Sequence, residues 1–138
     1  MSDRVAGSAT PLAVRAIVAG HGDFAAGMVS AVQQITGRGG VFHSVSARDL
    51  SGADLEITIR RAIEETGARV VFTDLQAGSC TMAARRLSRA FPDVFLVAGA
   101  NLPMLLDFVF ADALPAAEAA RHAMERGRAA IGAIGERP

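Results

Sequence analysis

Four short apolar runs, each followed by a segment with helical spacing, constrain this chain more than any other feature. Residues 13–20 (AVRAIVAG), 41–47 (VFHSVSA), 69–75 (RVVFTDL) and 94–100 (VFLVAGA) read as strands. Their near-continuous apolar character suits strands buried on both faces. Helical patterns fill residues 23–36, 53–66 and 79–90, with a short one after Pro103 and a last one over 115–126. In the second, Leu55, Ile59 and Ile63 recur every four residues and share one face. Gly37 and Gly67 stand where helices stop, and Pro92 breaks the chain before the fourth strand. Strands separated by helices predict an α/β fold: one doubly wound sheet of four parallel strands, order 2-1-3-4, covered by helices. Gly127, Gly132 and Gly135 argue against helix through residues 128–134 (RAAIGAI), which read as a short terminal strand.

Length and composition narrow the class. At 138 residues the chain suits one domain, assigned to residues 12–138, behind a polar, flexible N-terminal tail over 1–11. With 51% apolar and 20% charged residues it can build a hydrophobic core. Its 14 basic and 14 acidic groups balance, which argues against nucleic acid as the main partner. Every basic residue is Arg, so mechanisms that need a lysine amine are excluded. Cys80 is the single cysteine, which rules out an intramolecular disulfide and a multi-cysteine zinc site. The N-terminus lacks the apolar core of a signal peptide, and Asn101, Pro103 and Asp107 interrupt the most apolar stretch. A cytoplasmic protein is the expectation.

In an open α/β sheet, chemistry gathers at the carboxyl ends of the strands, near the point where strand order reverses. There the chain places Gly20-His21-Gly22-Asp23 after the first strand, Asp74 to Cys80 after the third, and Asn101 after the fourth. A 2-1-3-4 order brings His21 and Asp74 together. An imidazole between two glycines is open to a bulky tetrahedral group. A carboxylate on one ring nitrogen fixes the tautomer and frees the other nitrogen's lone pair. Ser79 opens a helix whose N-terminal amides favour an anion, phosphate above all. Together these features describe a phosphoryl-accepting histidine, with no metal and no cofactor required.

Other readings of the same residues compete. His21 can be an ordinary loop residue, Asp74 a cap for the helix near Ser79, and the glycines parts of a tight turn. Gly20 to Ala25 fits the G-x-G-x-x-A dinucleotide fingerprint, but the next acid, Asp49, lies 29 positions beyond Gly20. A receiver domain fails for want of an acidic cluster after the first strand and of a lysine. His43 reads as a strand residue, and His122, beside Arg121, as solvated. Cys80 lies near a helix N-terminus, which lowers a thiol's pKa, yet a lone cysteine usually packs as a small apolar group. Arg85, Arg86 and Arg89 read as a solvated face or as a docking patch for an acidic partner.

Three ordered segments carry a resemblance. VAGHGDFAAG over 18–27 with Ile35-Thr36-Gly37, VFTDLQAGS over 71–79, and ANLPMLL over 100–106 are similar to mannose-family enzyme IIA domains of the bacterial sugar phosphotransferase system. The resemblance spans about residues 13 to 135. It implies a phosphocarrier IIA subunit: His21 takes a phosphoryl group from the phosphocarrier protein HPr and passes it to an enzyme IIB subunit. Membrane IIC and IID subunits are then indirect partners. Asp74 would orient the imidazole, and Gly22, Gly78, Ser79 and Asn101 would line the phosphoryl pocket. The resemblance also implies a homodimer that exchanges the strand over 128–134. Ala77, Cys80 and Met82 depart from the family's usual second loop and bear on which IIB protein docks. The alternative is a regulator whose His21 phosphorylation controls a partner without sugar transport.

Overall fold

The computed structural model describes residues 12–135; the tail expected over 1–11 lies outside them. The elements are β1 (Ala16–Gly20), α1 (Phe24–Thr36), a 3-10 turn (Gly39–Val41), β2 (Phe42–Ser46), α2 (Gly52–Thr66), β3 (Val70–Thr73), α3 (Ser79–Leu87), β4 (Phe95–Ala98), α4 (Leu102–Phe110) and α5 (Ala116–Ala129). The four strands run parallel in the order β2-β1-β3-β4, as expected. β1 and β3 are therefore neighbours, and chain order reverses between them.

Alternate residues of each central strand enter two separate cores. Ala16 and Val18 of β1, with Val70 and Phe72 of β3, face Val32 of α1, Leu105 and Phe108 of α4, and Ala119 and Ala123 of α5. Ile17, Ala19 and Val71 face Leu55, Ile59 and Ile63 of α2 and Leu87 of α3. Burial on both faces is why the strands lack a polar side. Phe42, Phe72 and Phe108 form an aromatic cluster with ring centroids 5.2–6.2 Å apart. Burying each such ring contributes about 1.5–3 kcal/mol relative to leaving it exposed.

Helix ends follow their local chemistry. Ser51 caps α2 by accepting from the Asp54 N–H at 3.0 Å, and Gly67 closes it in the left-handed region at φ 77°. Two expectations need correction. α3 stops at Leu87 rather than Ala90: past it the chain tightens into turns, with the Arg89 and Ala90 N–H groups reaching back three residues to the Arg86 and Leu87 carbonyls. The terminal strand over 128–134 is not formed among the described residues: α5 continues to Ala129, and residues 130–135 make no strand. Gly127 lies inside α5 because the helix crosses α4 closely there. A Cβ at that position would come within 2.9 Å of Asn101 and Met104. The glycine thus marks an interhelical contact where its sequence suggested a stop.

Candidate functional site

The site forms where the loops after β1, β2 and β3 converge. His21 follows β1 directly. Its neighbour Gly20 has no room for a side chain: a Cβ would meet the Phe24 ring at 2.6 Å and Asp74 at 3.2 Å. Gly22 sits at φ +53°, a conformation that L side chains rarely adopt. The glycines of the G-x-G turn thus let the chain pass tightly beneath the imidazole.

Asp74, one residue past β3, binds His21 twice. Its Oδ2 accepts from the His21 backbone N–H at 2.9 Å and lies 2.7 Å from Nδ1. The two side chains are 55% and 8% exposed respectively, so the carboxylate is sheltered while the ring faces solvent. Burial, the largest influence, pushes the Asp74 carboxyl up. The hydrogen bonds from the His21 side chain and backbone, with the charge of His21, more than reverse that and leave it below its ordinary value. An ionised carboxylate only accepts, so Nδ1 carries the proton and Nε2 of the neutral ring keeps a lone pair. Asp74 Oδ1 accepts from the Leu75 N–H at 3.0 Å, so Asp74 braces its own loop and does not cap α3.

Nε2 faces the start of α3, with the Ser79 hydroxyl at 3.4 Å. Gly78 occupies the N-cap position, and no side chain caps the helix, so the first-turn N–H groups stay open to an anion. Gly78 is also close to the imidazole: a Cβ there would lie 3.3 Å from His21 Cε1 and 3.1 Å from Leu75. Two buried threonines hold this loop. The Thr81 hydroxyl donates to the Leu75 carbonyl at 2.7 Å, so its partner Thr73 must donate to Thr81 at 2.5 Å.

His21, Asp74, Gly78 and Ser79 therefore meet as expected, with Gly22 beside them. Asn101 does not hydrogen-bond to this group. Its Oδ1 caps α4 by accepting from the Met104 N–H at 3.1 Å, and its Nδ2 donates to the Gly127 carbonyl at 3.0 Å. Of the two readings of Cys80, the packed apolar one holds, and the pKa-lowering influence of the helix start does not prevail. The residue is fully buried, and desolvation, aided by the Asp74 charge, pushes the thiol up to about 11. His43 is exposed on the edge strand β2. His122 pairs with Asp107 at 2.7 Å. Arg86 pairs with Glu56 at 2.6 Å, while Arg85 and Arg89 line the cleft beside them.

One neighbour escaped the sequence reading. Arg48, just past β2, lies 3.0 Å from Asp23 across the His21 loop. The parallel register of Gly20 with Ser46 brings these loops together. The available signal was a lone cation after a strand expected to flank the first.

Comparisons with known proteins identify the family and agree with the fold. Residues 15–125 match the EIIA-man family model, described as PTS system fructose IIA component. The PTS system sorbose-specific EIIA component of Klebsiella pneumoniae is 29% identical over 98 residues, which cover 70% of this chain and 73% of that protein. The mannose/sorbose specific IIA subunit from Enterococcus faecalis superposes with a TM-score of 0.77 at 21% identity, over 92% of this chain and 98% of that one. The phosphotransferase system component EIIA from Streptococcus agalactiae gives a TM-score of 0.78 at 21% identity, over 87% and 96%. Among the described residues no helix is long and apolar enough to cross a membrane.

Proposed function

The chain belongs to the EIIA-man family of sugar phosphotransferase system components, and from that premise we propose that it is a phosphocarrier working through His21. It accepts a phosphoryl group from HPr and passes it to an enzyme IIB subunit in the cytoplasm, which serves the membrane IIC and IID subunits in sugar uptake. One observation carries this reading: Asp74 takes both the ring Nδ1 and the backbone N–H of His21, which leaves Nε2 as the nucleophile in front of α3.

The Nε2 lone pair attacks phosphorus, an N–P bond forms on His21, and the electron pair of the breaking N–P bond returns to the donor's nitrogen. The Nδ1 proton stays in place, and Asp74 stabilises the positive ring that develops. The Ser79 hydroxyl, the backbone at Gly22 and Gly78, and the open N–H groups of α3 take the phosphoryl oxygens. Asn101 contributes indirectly by tying α4 to α5. Exchange between two nitrogens of similar transfer energy needs no metal and no cofactor. A homodimer is part of the proposal: among the described residues no strand pairs with the outer edge of β4, and Phe110 at the end of α4, with Ile131 and Ile134 past α5, are exposed apolar groups.

The test is to incubate the protein with phosphoenolpyruvate, enzyme I and HPr and to follow intact mass. One acid-labile phosphoryl group that maps to His21 is the expected result. No labelling by a competent HPr would overturn the phosphocarrier reading.

A further inference from the structure

The loop after β2 is bound to the histidine loop at two points and braced within itself at a third. The Ala47 N–H donates to the Gly20 carbonyl at 2.9 Å, the Ser46 hydroxyl donates to the Gly22 carbonyl at 2.9 Å, and the Arg48 N–H donates to Ser46 Oγ at 3.1 Å. The backbone at Arg48 is thus fixed relative to His21, and its long side chain is the part left free to move. That side chain rests on Asp23 through one contact of 3.0 Å, with the two side chains 57% and 85% exposed. Nothing screens the guanidinium from the turn: Gly22 has no Cβ, and one placed there would stand 3.6 Å from Nη2.

A phosphoryl group on His21 brings negative charge close to the Asp74 carboxylate. Helix α3 answers it with partial charges only, on the order of half an elementary charge. Resting on the phosphocarrier reading above, we propose that Arg48 is a phosphoryl-positioning residue that leaves Asp23 and turns to the phosphoryl oxygens as the group arrives at His21. An exposed one-contact ion pair is weak, whereas a guanidinium meets phosphate oxygens in a matched fork. Asp23 is a parking place for the arginine. Although it occupies the N-cap position of α1, its side chain makes no capping bond there, so removing its charge leaves the helix start intact.

Arg48→Ala, Arg48→Lys and Asp23→Asn test this, with circular dichroism to confirm the fold. Each is phosphorylated in turn by phospho-HPr and by the small donor phosphoramidate, and the lifetime of the phosphohistidine is followed. Arg48→Ala is expected to slow labelling with both donors on the order of 10²-fold, as when one donor to a developing anion is lost. The loss should fall on kcat more than on KM. Arg48→Lys should recover part of the rate, and Asp23→Asn should match or exceed the wild type. The inference is overturned if Arg48→Ala labels at the wild-type rate, or if Asp23→Asn is slowed as much as Arg48→Ala. A defect seen with phospho-HPr alone would also overturn it, since that marks Arg48 as a contact to the partner. A wild-type protein that accepts phosphate from neither donor would instead remove the phosphocarrier reading, and this inference with it.

Discussion

The molecule contains two histidine–aspartate pairs that are nearly identical as pairs and different in every surrounding respect. His21–Asp74 and His122–Asp107 each place Nδ1 2.7 Å from a carboxylate oxygen, with the imidazoles 55% and 57% exposed. Asp74 Oδ2 receives both the imidazole and the backbone N–H of His21, and Oδ1 holds the loop at Leu75. Asp107 is divided between His122 and Arg126, the latter at 3.7 Å. His21 stands in a glycine turn before the uncapped start of α3. His122 lies within α5, in a cleft also lined by Arg121, Glu118 and Glu125. That mixed set of side-chain charges offers no helix N-terminus, whereas His21 faces the amides of α3. A hydrogen-bonded imidazole is therefore only part of a phosphoryl site; the field around its free nitrogen does the selecting.

The comparison can be broken most directly by deleting each imidazole. His21→Ala is expected to abolish phosphorylation with the fold retained, while His122→Ala labels like the wild type by intact mass. Full labelling of the His21→Ala protein at another histidine would end the assignment.

The carboxylates should separate the pairs next. Asp74→Asn keeps the shape but loses the field and the enforced tautomer, and should slow labelling by about 10²–10³-fold in stopped-flow or quench assays. Asp107→Asn should leave that rate unchanged and alter stability by less than about 1 kcal/mol in denaturant melts.

Gly78→Ala sharpens the comparison at the level of packing. The added methyl must displace the His21 ring or Leu75 by a few tenths of an ångström. Expected are a cost of about 1 kcal/mol in stability and a smaller loss of rate than that of Asp74→Asn.

The smallest effect is in the pH dependence of stability. The Asp74 carboxyl lies below its ordinary value when folded, so its contribution is complete above the unfolded carboxylate pKa and is lost as pH falls through the folded one. Below about pH 4 the wild type should lose stability that Asp74→Asn does not lose, as read from acid melts.

Much of the fold was legible because its signals are local. Ile17, Val18, Val71 and Phe72 are apolar without a break since both faces of β1 and β3 are covered, and Leu55, Ile59 and Ile63 repeat because α2 buries one stripe. His21 and Asp74 were legible because both stand at carboxyl ends of strands whose order could be anticipated. What escaped depends on contacts distant in sequence. Gly127 reads as a stop until α4 is seen against it. Cys80 leaves two readings open, a thiol near a helix start and a packed apolar group, until its burial decides for the second. Arg48 acquires significance only through the register of β2 on β1.

The most direct test of the account is nitrogen-resolved NMR of the histidine side chains before and after phosphorylation by phospho-HPr. His21 is expected to hold its proton on Nδ1 throughout and to gain phosphorus on Nε2, with His122 unchanged. Phosphorus on Nδ1 of His21, or on His122, would contradict it.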